Sequence, residues 1–162
     1  SQYGFRSCFG WMPDVWQYED EETALVDVLW LSKGMTYKAA IAGLNLGGGK
    51  AVIIGDSKTQ KTENLFRSFG RFVEGLGGRY ISAEDVGTSI RDMEHVRMET
   101  NYVTGISKAL GGSGDPSPVT AYGVFIGIKA CMKERLNKTE ITGLKVYVQG
   151  LGHVGHAFMR IS

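Results

Sequence analysis

Residues 47–56 read Gly47-Gly48-Gly49-Lys50-Ala51-Val52-Ile53-Ile54-Gly55-Asp56, and the fold class follows from what lies on either side of them. Ala51 to Ile54 is a short apolar strand, stopped by Gly55-Asp56. Upstream, Glu21 and Glu22 suit a first helical turn, and Ala24, Leu25, Val28, Leu31 and Met35 recur at helical spacing. Gly34 falls inside that pattern and is expected to end or kink the helix. Downstream, Thr62 is a candidate cap for a helix whose Leu65, Phe69, Phe72, Val73 and Leu76 form one apolar stripe. Gly77-Gly78 closes that helix, residues 79–83 read as a strand, and Ile90, Met93 and Val96 mark another short helix. The first eighteen residues are aromatic and irregular, and no element is assigned to them. Helix and strand alternating in this way predict an α/β layered fold, with helices covering a sheet.

The same stretch carries the chemistry. A lysine that follows three glycines and precedes an apolar strand lies close to backbone, with few side chains to solvate it. That setting lowers an amine pKa until the group can act as a base near neutral pH. Lys38 lies twelve positions upstream, near enough to share one site, where two ammonium groups repel and one gives way. The pair also offers a seat for a substrate carboxylate. The plainer reading is a glycine turn with a surface lysine. An ATP-binding P-loop fits poorly, because the glycine spacing is off by one and Ala51 stands where the magnesium-binding hydroxyl belongs.

A second pattern lies near the end of the chain. After the loop Gly111-Gly-Ser-Gly-Asp-Pro-Ser-Pro118, residues 119–136 read as a long helix and residues 144–148 as a strand. The strand runs into Gly150-Leu-Gly152-His-Val-Gly155, a G-x-G-x-x-G in the strand-turn-helix context of a dinucleotide-binding unit. A doubly wound nucleotide domain needs further strands and an acidic residue about twenty positions on. Ser162 comes before either, so the chain is expected to be a piece of a longer protein.

Composition narrows the classes. The 162 residues, 43% hydrophobic, can bury a real core. A net charge of +1 argues against nucleic acid or an anionic membrane as partner, since no basic excess exists to neutralise phosphates. No apolar run approaches the length of a membrane span. Cys8 and Cys131 are too few and too far apart for a disulfide scaffold or a zinc site, which points to a reducing cytoplasm and to no metal.

Taken together, Gly34-Met-Thr-Tyr-Lys38, Gly43-Leu-Asn-Leu-Gly-Gly-Gly-Lys50, Ala83-Glu-Asp-Val-Gly-Thr88, Pro116-Ser-Pro-Val-Thr120 and Gly150-Leu-Gly-His-Val-Gly155 resemble the Glu/Leu/Phe/Val dehydrogenase family, and within it the leucine branch. The resemblance runs from about Trp16 to the end of the chain. It implies a substrate and dimerisation-type domain over residues 1–118, a linking helix over 119–140, and the start of an NAD-binding Rossmann domain over 141–162. It also implies NAD as cofactor, a small amino acid as substrate, and a homo-oligomer. The expected reaction is oxidative deamination of leucine, valine or isoleucine; a non-catalytic amino-acid-binding or oligomerisation remnant is the alternative.

Residue by residue, the resemblance makes Lys50 the base that activates water and Asp85 the carboxylate that assists proton transfer at the substrate amine. Lys38 would hold the α-carboxylate, and Ala83 would wall the side-chain pocket. Thr120 would lie near the nicotinamide, with Gly150, Gly152 and Gly155 around the pyrophosphate. One segment departs from the pattern. Family members carry a glycine pair and an arginine ahead of the Trp-Gln-Tyr stretch, where this chain has Ser7-Cys-Phe-Gly-Trp-Met-Pro-Asp-Val15 and only Gly10 matches. No lysine precedes Lys33, so the lysine that glutamate-specific members place on the side-chain carboxylate has no candidate. An aliphatic substrate is favoured. His153 and His156 read as a helix-start pair near solvent, and His95 as a solvated residue on a charged helix face.

Overall fold

The strand at the centre of the sequence is longer than its apolar residues. In the computed structural model, which describes residues 8–161 and side chains from residue 14 on, β2 spans Gly47–Ile54 and takes in all three glycines and Lys50. The reason is a helix laid against it. The first helix, α1 (Glu21–Ile41), crosses the strand so closely that a Cβ on Gly48 would lie 2.2 Å from the Thr36 nitrogen and 2.4 Å from the Ser32 carbonyl oxygen. Only glycine fits there. The Gly48 N–H then donates to the Thr36 hydroxyl at 3.2 Å, which ties helix to strand.

Helix α1 starts as expected: the Asp20 side chain caps it by accepting from the Thr23 N–H at 2.7 Å, with Glu21 and Glu22 in the first turn. It does not end at Gly34. The helix runs through and closes at Ala42, followed by Gly43 at φ 69°. Nothing lies within 4 Å of a Cβ built on Gly34, so the residue is carried at its propensity cost alone.

The segment left unassigned in the sequence supplies the middle of the sheet. Strand β1 (Cys8–Trp16) lies between β2 and the two-residue β3 (Tyr80–Ile81), and all pairings are parallel. Trp11 pairs with Lys50 and Asp14 with Val52, so the register slips by one residue between Trp11 and Asp14. Pro13 has no N–H to give a ladder, and the irregularity falls where that donor is missing. Of the divergent segment 7–15, Ser7 and the side chains before Asp14 lie outside the described residues. The sheet is continued past β3 by a parallel bridge between Ser82 and Val103.

Helix α2 (Glu63–Gly75) is capped by Thr62, whose hydroxyl accepts from the Leu65 N–H at 3.2 Å. Its inward face is not the full stripe expected from the sequence. Phe66, Gly70 and Val73 are buried, while Phe72 is 68% exposed. Gly70 sets this rotation. It lets α3 (Ile90–Arg97) approach until a Cβ on Gly70 would meet the Val96 carbonyl oxygen at 2.7 Å. The core is therefore Val15 of β1 with Phe66, Met93, Val96, Val103 and Ile106, flanked by Ile53 and Phe69.

The chain divides into two compact units, Ser1–Gly114 and Asp115–Ser162. The second holds α4 (Ser117–Leu136) and the short α5 (His153–Phe158). The expected strand at 144–148 is not formed: residues 144–150 are extended without a ladder. A strand needs a hydrogen-bonded neighbour, and among the described residues this unit contains none. No helix among the described residues is long and apolar enough to cross a membrane.

Two glycine substitutions in helices separate packing from propensity. Gly70→Ala is expected to lower unfolding stability by about 1–3 kcal/mol through overpacking. Gly34→Ala, in open space, is expected to raise it by about 0.5–1 kcal/mol. Urea titrations of both variants, read by circular dichroism, check the signs.

Candidate active site

Lys50 stands fourth in β2, and its side chain turns into the sheet's covered side, where it is only 4% exposed. A buried ammonium must be matched by anions or hydrogen-bond acceptors. Two carboxylates meet it. Asp14 Oδ1 lies 3.0 Å from Lys50 Nζ, and the Lys50 ammonium donates a hydrogen bond to Asp85 Oδ2. Instead of bare backbone around the amine, as the glycines suggested, two acids pair with it.

Each acid is held by local backbone. Asp14 sits at the end of the β1 irregularity, one position before the buried Val15. Asp85 opens a tight turn: its N–H donates to the Thr88 hydroxyl at 2.8 Å, the Thr88 N–H donates to the Asp85 carbonyl at 3.0 Å, and the Val86 N–H donates to Asp85 Oδ1 at 2.9 Å. Gly87 makes the turn possible. It has φ 78°, and a Cβ there would lie 2.6 Å from the Val15 carbonyl oxygen. The Val15 N–H donates to the Val86 carbonyl at 3.2 Å, so the turn is pinned to β1 directly beside Asp14.

The electrostatics are unequal. Burial pushes the Asp14 carboxyl above the ordinary aspartate range; the Lys50 ammonium pulls the other way, and Asp85 and Asp27 add to the rise. Tyr80 of β3 is likewise pushed up, first by burial and then by Asp14 and Asp85. Tyr18 hydrogen-bonds to Asp27 at 2.6 Å and is raised by its own desolvation, by that bond and by the charges of Asp27 and Asp14. Asp85, at 28% side-chain exposure, faces solvent more than Lys50 does. A partly open carboxylate over a buried amine can pass protons between solvent and a ligand.

Of the residues singled out in the sequence, Lys50 and Asp85 are brought into contact. Ala83 is buried two positions before Asp85 on the same segment. Lys38 is exposed in the last turn of α1. Thr120 is exposed in the first turn of α4, its N–H bonded to the Pro116 carbonyl at 3.0 Å. Within the second unit, Gly150 adopts φ 90°, and a Cβ on Gly155 would lie 2.3 Å from the Gly150 carbonyl oxygen, so both positions demand glycine. Gly152 caps α5 and lines a cleft of about 680 Å³ with Asp115, Ser117, His153, His156 and Arg160. His153 and His156 are exposed, but His95 is half-buried with Nδ1 out of reach of any hydrogen-bond partner.

Asp14 is the member that sequence reasoning missed. It stands in an aromatic segment with no periodicity and no matching motif. One signal was available: a carboxylate two positions before Trp-Gln-Tyr, in a chain whose central lysine lacked a counter-charge.

Comparison with known proteins supplies a frame for this geometry. Residues 14–102 match the family described as Glu/Leu/Phe/Val dehydrogenase, dimerisation domain. Leucine dehydrogenase of Bacillus subtilis (strain 168) is 56% identical over 146 residues, which cover 90% of this chain and 40% of that protein. A crystal structure of L-tryptophan dehydrogenase from Nostoc punctiforme superposes with a TM-score of 0.67 at 43% identity, covering 97% of this chain and 43% of that one. Hetero-hexameric glutamate dehydrogenase from Thermus thermophilus, in its Leu bound form, reaches a TM-score of 0.81 at 26% identity over 97% of this chain and 40% of that one. The chain spans about two fifths of the length of the curated relatives it matches.

Two outcomes follow from the site's construction. Gly87→Ala is expected to cost about 2 kcal/mol or more, because a left-handed backbone and a backbone clash combine. Gly77→Ala, also at positive φ but with open space around it, should cost about 1 kcal/mol, and chemical denaturation of the two separates the terms. The second outcome concerns Asp14, whose folded pKa lies above the unfolded value of 3.8. A raised acid stabilises the fold below the unfolded value and loses that contribution as pH rises through the folded value. Relative to the unchanged chain, Asp14→Asn should therefore gain stability across that rise; a difference that stays flat with pH contradicts the assignment.

Proposed function

The chain belongs to the Glu/Leu/Phe/Val dehydrogenase family, and from that premise we propose that it is the amino-acid-binding part of an NAD-dependent enzyme that deaminates a branched-chain L-amino acid to its 2-oxo acid and ammonia. The observation that carries the reading is the Lys50 ammonium, buried and hydrogen-bonded to a partly exposed Asp85. An amine that must act as a base needs shelter from water and a neighbour that exchanges its proton. This pair supplies both.

In this reading Lys50 takes a proton from the water that attacks the oxidised substrate, and Asp85 moves protons to and from the substrate nitrogen. Lys38 offers its ammonium to the α-carboxylate. Ala83, being small and buried, leaves room for a branched side chain, and the absence of a lysine before Lys33 supports an aliphatic substrate over glutamate. The relatives include proteins named for leucine and for tryptophan, so side-chain choice is the finer part of the proposal.

Residues 1–118 serve as the substrate and dimerisation-type domain, 119–140 as a linking helix, and 141–162 as the start of the cofactor domain. The glycine turn fits a dinucleotide: Gly150 holds a left-handed backbone, Gly155 leaves no room for a Cβ, and a backbone that bare admits a pyrophosphate. Thr120, Gly150, Gly152 and Gly155 would hold NAD, which when bound accepts the hydride from the substrate. Assembly as a homo-oligomer in the cytoplasm, with no nucleic-acid or membrane partner, completes the proposal. The +1 charge supports its last part.

The test is turnover in the longest natural polypeptide that contains this sequence. NADH formation is expected with leucine, valine or isoleucine and not with glutamate. Lys50→Ala should lower kcat by about 10²–10⁴-fold while the fold is kept. Full turnover in that variant would sink the base assignment.

A further inference from the structure

We propose that Asp14 is a second working partner of the Lys50 amine: a positioning residue that holds the amine against Asp85 and receives the proton that the amine gives up. The proposal rests on the reading of Lys50 as a base and goes beyond it, because it says where that proton is kept.

Geometry comes first. Asp14 is 8% exposed, and its Oδ1 lies 3.0 Å from Lys50 Nζ; among the described residues that ion pair is the oxygen's polar contact, and no well-directed hydrogen bond completes it. Buried carboxylate oxygens are normally satisfied, and one that is not needs an explanation. An oxygen that takes up a proton is such an explanation, since the carboxyl then becomes a donor in its own right.

Asp85 is the other candidate for the proton, and its surroundings argue against it. Its carboxylate accepts from the Lys50 ammonium at Oδ2 and from the Val86 N–H at Oδ1, and it is the more exposed of the two acids. Asp14 is the more buried of the two acids, and among the described residues the Lys50 ammonium at 3.0 Å is the contact that favours its anion. Burial already tilts it toward the neutral form, with Asp85 and Asp27 acting in the same direction.

Charge balance leads to the same assignment. With all three groups ionised, the cluster carries one net negative charge. Removing the Lys50 proton without compensation would leave two negative charges in a site shielded from water, which burial strongly disfavours. Passing the proton to Asp14 keeps the total unchanged. One N–H bond on Nζ breaks, one O–H bond on Asp14 forms, and no electrons change hands. Among the described residues, the groups that act on Asp14 are Lys50 from β2, Asp85 from the turn after β3, Asp27 from α1, and the phenols of Tyr80 and Tyr18, and none of these supplies a second cation.

The experiment is an NMR titration of the folded, carbon-13-labelled chain, read at the Asp14 carboxyl carbon and the Lys50 Cε. Asp14 is expected to titrate above the other aspartates. In Lys50→Met its proton affinity should rise about tenfold or more, and in Asp14→Asn the proton affinity of Lys50 should fall by the same factor, because coupling is reciprocal. If Lys50→Met does not fold, the Asp14→Asn arm decides alone. An Asp14 signal that ignores Lys50→Met, a Lys50 signal that ignores Asp14→Asn, or a response at Asp85 in place of Asp14 would overturn the proposal. None of these readings needs turnover. Loss of the dehydrogenase reading would therefore leave the coupling visible, and loss of the coupling would leave the dehydrogenase reading intact.

Discussion

A lysine ammonium removed from water must be given anions, and the first unit is arranged to deliver two of them to Lys50. The charge sits in mid-strand, so the anions have to arrive from neighbouring backbone. One comes from β1, where the register slip at Pro13 precedes Asp14. The other comes from a turn that only a glycine at position 87 can fold tightly enough to seat on Val15. Glycine recurs at 48 for the same kind of reason, because α1 packs backbone to backbone on the strand that carries the lysine. Three close approaches thus converge on one amine.

Such a cluster is a poor device for stability. Replacing a buried ion pair with well-packed apolar residues is often neutral or favourable, whereas removing one partner leaves a stranded charge. The stabilising contacts of this unit lie elsewhere, among Val15, Phe66, Met93, Val96, Val103 and Ile106. A charged group placed next to such a core, and partnered by an acid that reaches solvent, is better explained by proton chemistry. The span matched by the family's dimerisation domain, residues 14–102, contains all three charges.

Much of the layout was legible from local chemistry. Glu21 and Glu22 mark the start of α1, and Thr62 and Gly77-Gly78 bracket α2, through end effects that depend on a few adjacent residues. The illegible parts were those decided by distant partners. Strand β1 holds a proline and little regular alternation, and it is a strand because β2 and β3 flank it. Phe72 belongs to an apolar stripe but ends outside, since the approach of α3 at Gly70 fixes the helix rotation. Residues 144–148 have strand composition, yet a ladder needs a second chain segment and theirs is absent from the described residues. Lys50 and Asp85 could be named from motifs, while Asp14 could not, because nothing in its neighbours announces a buried carboxylate.

The most direct test of the Lys50 cluster is a double-mutant cycle on unfolding free energy, with Asp14→Asn, Lys50→Met and the two combined. A working charge contact requires the combined variant to lose less stability than the sum of the singles, with a coupling of about 1–3 kcal/mol at neutral pH. Strict additivity would mean that the amine and the carboxylate do not sense each other, and the cluster could not be the centre of the site.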